Sequence, residues 1–142
     1  MNAVFNSNDE AIEFTEMSEI PVEQLPTLMR QLSVLAVPIS LTWGAGNRPI
    51  TLSGRLNNVM LKANWLNLYQ SSQHQAHIAL SLLTEMFVGS RSTDGDLTLI
   101  GRDQKGQRCL SISCAGHTSL ERVCWQKIIR ASCYSKDCCY SC

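Results

Sequence analysis

The chain has 142 residues, of which 44% are hydrophobic and 17% charged, and its 12 Lys+Arg balance its 12 Asp+Glu. That length and apolar share suit one domain with its own core and exclude a disordered or fibrous chain. Zero net charge removes the broad positive field that nonspecific binding to nucleic acid or an anionic membrane requires, so neither partner is expected.

Residues 1–10 carry no basic or apolar leader segment, which points to a cytoplasmic protein. The stretch 9–17 is mixed and fits a short helix or a strand. Residues 21–35 predict a helix, with Pro21 and Pro26 in its first turns. Leu25, Leu28, Met29, Leu32 and Leu35 recur there at spacings of three and four. The apolar run 32–39 is broken by Ser33 and Pro38 and falls far short of the ~20 residues that span a bilayer.

After Pro38 the period changes to two. Ile39, Leu41 and Trp43 alternate with Ser40 and Thr42, the glycine turn at 44–49 reverses the chain, and 50–56 alternates again, which predicts a hairpin. Asn57 and Asn58 turn the chain into an apolar run over 59–68, and 77–88 reads as one strand or a bulged one. Asp94-Gly95 and Lys105-Gly106 predict turns before strands at 97–100 and 109–113. Residues 119–131 predict a second helix, N-capped by Ser119, with Leu120, Val123, Cys124 and Ile128 on its apolar face. The expected fold class is α+β, a single antiparallel β-sheet meander flanked by an N-terminal and a C-terminal helix. Residues 1–131 form its single domain and 132–142 a Cys-rich tail that adds little to folding.

All seven cysteines follow residue 108, so the domain must stand without a disulfide framework. Four thiolates in the tail, Cys133, Cys138, Cys139 and Cys142, offer a metal site as an alternative. Against it, Cys138 and Cys139 are adjacent, where a four-Cys zinc site joins two separated knuckles. No phosphate loop, dinucleotide fingerprint, nucleophile elbow or HExxH motif is present. His74 and His77 share a face only on a helix, not on a strand. Trp43, Trp65 and Trp125 lie in apolar pattern and read first as core.

An ordered series runs through the chain: Trp43 with the glycine turn, Gly54, then Trp65-Leu66-Asn67, His77, Asp94-Gly95, the Asp103 to Gly106 turn and Trp125. It resembles one repeat, the second more than the first, of the HemS/ChuS family of hemin-degrading or heme-trafficking proteins, over about residues 20–131. The smaller ChuX/HutX heme carriers are similar in having a single repeat and pair as dimers. The resemblance implies heme as cofactor and a homodimer. It matches Trp65 and Asn67 to a WLN segment and His77 to the His of an NLHL-like stretch.

The family's ligand His on the opening helix has no counterpart in 21–35, and its Arg/Lys pair falls on Gly89-Ser90, with Arg91 one position later. Its late Gly-x-Arg becomes Ala115-Gly116-His117. The resemblance then implies His77 as the candidate heme-iron ligand, or as a residue that supports the ligand, with Trp65 and Asn67 beside it and Arg91 or Arg55 as propionate partners. The implied function is a cytosolic heme carrier in heme utilisation. The alternatives are a heme-degrading enzyme, or a fold that has lost heme and serves as an interaction module.

Overall fold

The computed structural model describes residues 14–44, 48–91 and 96–133. The start of the chain, the middle of the glycine turn, the Asp94-Gly95 turn and the tail after Cys133 lie outside the described residues. The elements run β1 (Phe14–Ile20), a 3-10 turn (Val22–Gln24), α1 (Leu25–Val34), β2 (Ile39–Trp43), β3 (Ile50–Gly54), β4 (Asn58–Lys62) and β5 (Trp65–Tyr69). They continue as β6 (Gln75–Ala79), a second 3-10 turn (Leu80–Leu82), β7 (Glu85–Arg91), β8 (Leu97–Arg102), β9 (Arg108–Cys114) and α2 (Ser119–Ser132).

The α+β class and both helices match expectation, but the single meander does not. The strands form a six-stranded sheet, in the order β1-β7-β8-β9-β2-β3, and a separate three-stranded sheet, β4-β5-β6. Every pairing is antiparallel. The apolar run over 59–68 is a hairpin rather than one strand, because Ala63 takes a left-handed backbone (φ 55°) between β4 and β5. Likewise 77–88 is two strands of different sheets, parted by the 3-10 turn at Leu80–Leu82.

The break between the sheets lies just after β3. Gly54 has φ +125°, a region open to glycine and strained for any side chain. Around it, the Gln70 side-chain amide donates to the Ser53 carbonyl. The Ser33 hydroxyl donates to the Leu56 carbonyl at 3.0 Å, and the Asn57 N–H donates to the Tyr69 carbonyl at 2.7 Å. The backbone groups that leave the large sheet thus find partners in the small sheet and in α1.

One core lies between the layers. In the large sheet, Val88, Leu99, Ile112, Leu41 and Leu52 form a buried row in register across five strands. The helix stripe Leu25, Leu28, Met29 and Leu32 and the inner face of the small sheet (Leu66, Leu68, Ala76, Ile78) belong to the same cluster. Leu35, expected on that stripe, is half exposed because α1 stops one residue earlier.

Helix α2 is capped one residue before the expected position. Thr118 Oγ1 accepts from the Glu121 N–H at 3.1 Å, and Glu121 Oε1 accepts from the N–H groups of His117 and Thr118 at 3.0 and 3.3 Å. This capping box satisfies donors that the first turn leaves free. Its buried face is Trp125, Ile128 and Ile129, whereas Leu120 and Val123, expected inward, are exposed. Trp125 sets that rotation, since it is 2% exposed and its Nε1–H donates to the Leu97 carbonyl at 3.1 Å.

Two measurements test these joints. Gly54→Ala puts a Cβ against the Gln70 side chain at a left-handed position and is expected to lower stability by about 1–2 kcal/mol or more in urea unfolding. The Glu121 carboxyl lies below its ordinary 4.5, held there by the Thr118 and His117 N–H groups and the Thr118 hydroxyl, with Arg55 adding to it. A depressed folded-state value means that its contribution is present above the ordinary value and lost as pH falls through the folded one. Glu121→Gln is therefore expected to be less stable than wild type at neutral pH, with the difference shrinking below pH 4.5.

Candidate functional site: the open face of the small sheet

Strand alternation sends Leu66, Leu68, Ala76 and Ile78 into the core, so Trp65, Asn67 and Tyr69 on β5 and Gln75 and His77 on β6 point outward. Register then builds the outer face in rows. Met60, Asn67 and His77 stand side by side across β4, β5 and β6, and Lys62 and Trp65 pair in the adjoining row. Asn58, Tyr69 and Gln75 form the row on the other side.

Three residues singled out from sequence are thus brought together: Trp65, Asn67 and His77. His77 Nδ1 lies 2.6 Å from Asn67 Oδ1, and Tyr69 meets the imidazole edge-on, with centroids 6.1 Å apart and planes at 80°. Trp65, expected in the core with the other tryptophans, is 51% exposed, and Met60 is 48% exposed. An exposed indole beside an exposed thioether and an imidazole is an apolar platform with one ligating group in it. Sequence reasoning missed Met60, Lys62 and Tyr69. The signal available was the alternation around Trp65, once 59–68 is divided into two strands.

The other predicted residues lie elsewhere or outside the described side chains. The Arg55 guanidinium donates from Nε to the Ala36 carbonyl at 3.0 Å and from Nη2 to Glu121 Oε2 at 2.8 Å, joining the end of α1 to the start of α2. Arg91 is the last residue of β7, paired with Phe14, and its side chain is not among those described. His74 belongs to the turn before β6, its Nδ1 3.0 Å from the Ser71 hydroxyl. Cys133 Sγ donates to the Ile129 carbonyl at 3.5 Å, while Cys138, Cys139 and Cys142 lie outside the described residues. Among the described residues, no three His, Cys, Asp or Glu side chains come together as a metal site.

Two concavities offer themselves as alternatives. One, about 80 Å³, lies between α2 and the β8–β9 pair, lined by Asp96, Thr98, Cys114, Arg122 and Trp125 among others. It is well below the 300–1,000 Å³ typical of organic ligand sites. The other, a groove of about 480 Å³ by the first 3-10 turn, is lined by Glu19, Glu23 and Glu85, the last ion-paired with Arg102 at 3.0 Å, and among the described residues no Lys or Arg lines it to receive an anionic ligand. Neither includes His77 or Trp65.

No helix among the described residues is long and apolar enough to cross a membrane. Cys109 is buried on β9, and burial, with the Asp103 carboxylate, pushes its thiol up to about 11. Its thiolate is therefore scarce near neutrality. In the folded protein at pH 8, mass-spectrometric mapping is expected to show Cys109 alkylated by iodoacetamide far more slowly than after unfolding in urea.

The chain matches no protein-family model, and in sequence no curated protein. Its structure is similar to solved ones. Apo-PhuS, a heme-binding protein from Pseudomonas aeruginosa, matches with TM-score 0.70 and 17% identity over 81% of this chain and 34% of that one. ChuS, an E. coli heme oxygenase, gives 0.67 and 18% over 80% and 36%. The heme binding protein ChuX gives 0.60 and 16% over 80% and 76%. The chain spans about a third of the PhuS and ChuS chains and about three quarters of ChuX. What it shares with all three is the fold.

Proposed function

We propose that this chain is a cytosolic heme-binding protein that carries heme, held on the outer face of β4–β5–β6. Three heme proteins with the same fold support the ligand class, and the arrangement of this face carries the placement. A porphyrin needs a flat apolar surface, cations for its two propionates and a ligand for its iron. Trp65 and Met60 supply the surface, Lys62 stands in register beside Trp65 as a cation, and His77 supplies the imidazole. The observation that supports this face is the exposed Trp65 one row from His77, while the larger groove is lined by carboxylates. Lys62 takes the part of propionate partner on this face, since Arg91 ends β7 in the large sheet. Arg55 is a weaker choice, because Ala36 and Glu121 already engage its guanidinium.

Heme supplies the iron chemistry when bound. The chain's own part is to stack on the macrocycle, offer a nitrogen to the iron and neutralise the propionates. A single open sheet face covers one side of a flat ligand, whereas organic ligands are usually more than two-thirds buried. We therefore also propose a homodimer, in which a second copy covers the other side.

Titration with hemin is expected to shift the Soret band to a saturable endpoint, and His77→Ala to weaken binding at least tenfold while His74→Ala leaves it unchanged. Sedimentation of the loaded protein is expected to give about twice the 15.8 kDa chain mass. No saturable shift removes the heme reading and leaves the fold as an interaction module. Bleaching of the band by ascorbate and oxygen would make the chain a heme-degrading enzyme instead of a carrier.

A further inference from the structure

The contact between His77 and Asn67 determines more than where the ring lies. His77 Nδ1 and Asn67 Oδ1 lie 2.6 Å apart, and since an amide oxygen has no hydrogen to give, a hydrogen bond between these two atoms takes its proton from His77 Nδ1. In the neutral imidazole the other nitrogen, Nε2, then carries the lone pair. Free histidine prefers the opposite tautomer, with its hydrogen on Nε2. We propose that Asn67 is a positioning residue that holds His77 in the Nδ1–H form and so makes Nε2 the nitrogen presented to a metal on the open face of the small sheet.

Three observations carry this assignment. Asn67 and His77 are direct cross-strand partners in β5 and β6, so the backbone register rather than a mobile loop sets their approach. Tyr69, the next outward residue on β5, packs edge-on against the imidazole and limits rotation of the ring. His77 itself is exposed, so that Nε2 is not sealed in the core. A ligating imidazole commonly donates its second N–H to a carboxylate, a carbonyl or a water, which fixes both tautomer and orientation. Here a side-chain amide in the adjacent strand takes that part. The ligand class is an imidazole-seeking metal, and its identity as heme iron rests on the function proposed above.

The test begins on the apo protein and needs no heme. In 15N-labelled wild type, above the pH at which imidazole titrates, long-range 1H–15N correlation is expected to show His77 with hydrogen on Nδ1 and a bare Nε2. Asn67→Leu should move His77 toward the Nε2–H form, while Asn67→Asp, which keeps an acceptor in place, should retain the wild-type tautomer. Circular dichroism identifies a variant that has not folded, and the wild-type spectrum then decides alone. A wild-type His77 bearing its hydrogen on Nε2, or an Asn67→Leu spectrum identical to wild type, overturns the assignment.

Hemin titration of the same variants separates this inference from the proposed function. Asn67→Leu is expected to weaken heme binding about 10–100-fold, the usual loss on removing the partner of a ligating group, and Asn67→Asp to restore it. If the tautomers behave as stated but no variant binds heme, the heme reading fails and the positioning role stands. If heme binds through His77 with equal affinity in wild type and Asn67→Leu, Asn67 does not position the ligand.

Discussion

The left-handed backbone at Gly54 is the constraint on which the rest of the molecule depends. Up to that residue β3 runs beside β2 as the edge of the large sheet. A residue with a side chain would resist φ +125°, and extended backbone would carry the strand onward along the same sheet. The turn there lifts Leu56 into the core and starts β4 in a new sheet. Everything between residues 58 and 79 follows as an excursion, which leaves β2 free to take β9 as its second neighbour.

That departure would leave polar groups bare where two sheets and two helices converge. The residues around it answer this locally. Gln70 covers the Ser53 carbonyl, Ser33 reaches the Leu56 carbonyl, and Arg55 spans the Ala36 carbonyl and the Glu121 carboxylate. Ala36 itself is left-handed (φ 56°), at the place where α1 gives way to β2. Glu121 serves both the α2 capping box and the Arg55 contact, so one carboxylate ties the helix start to the sheet junction. Arg55 is exposed, and an exposed pair of this kind contributes little stability alone. What its side chain does is link the end of α1 to the start of α2 across the break.

A two-layer arrangement with one shared core has a direct consequence for chemistry. Among the described residues the small sheet buries one face and has no layer on the other, so alternation delivers Trp65, Asn67 and His77 to the outside. An indole half in water is unfavourable for folding alone, since burying it would add stability. Its neighbours on that face are Met60, Lys62 and His77, the residues on which the heme site proposed above is built. The acidic groove by the first 3-10 turn offers the opposite electrostatics.

Local features of this chain were legible before any tertiary contact was known. The stripe of α1, the period-two runs of β2 and β3 and the Lys105-Gly106 turn before β9 follow from side-chain periodicity and turn chemistry, which act over a few residues, whereas His77 was linked to the Trp65-Leu66-Asn67 segment only through the resemblance. The resemblance in the spacing of those motifs also led to the fold. What only the tertiary structure decided was the number of sheets, the pairing of β2 with β9, the rotation of α2 around Trp125 and the exposure of Trp65. Each depends on which face of an element finds a covering layer. An alternating run declares that it has two faces, but the layer that covers one of them comes from residues tens of positions away, so the difference between a core tryptophan and a ligand platform cannot be read from the run itself.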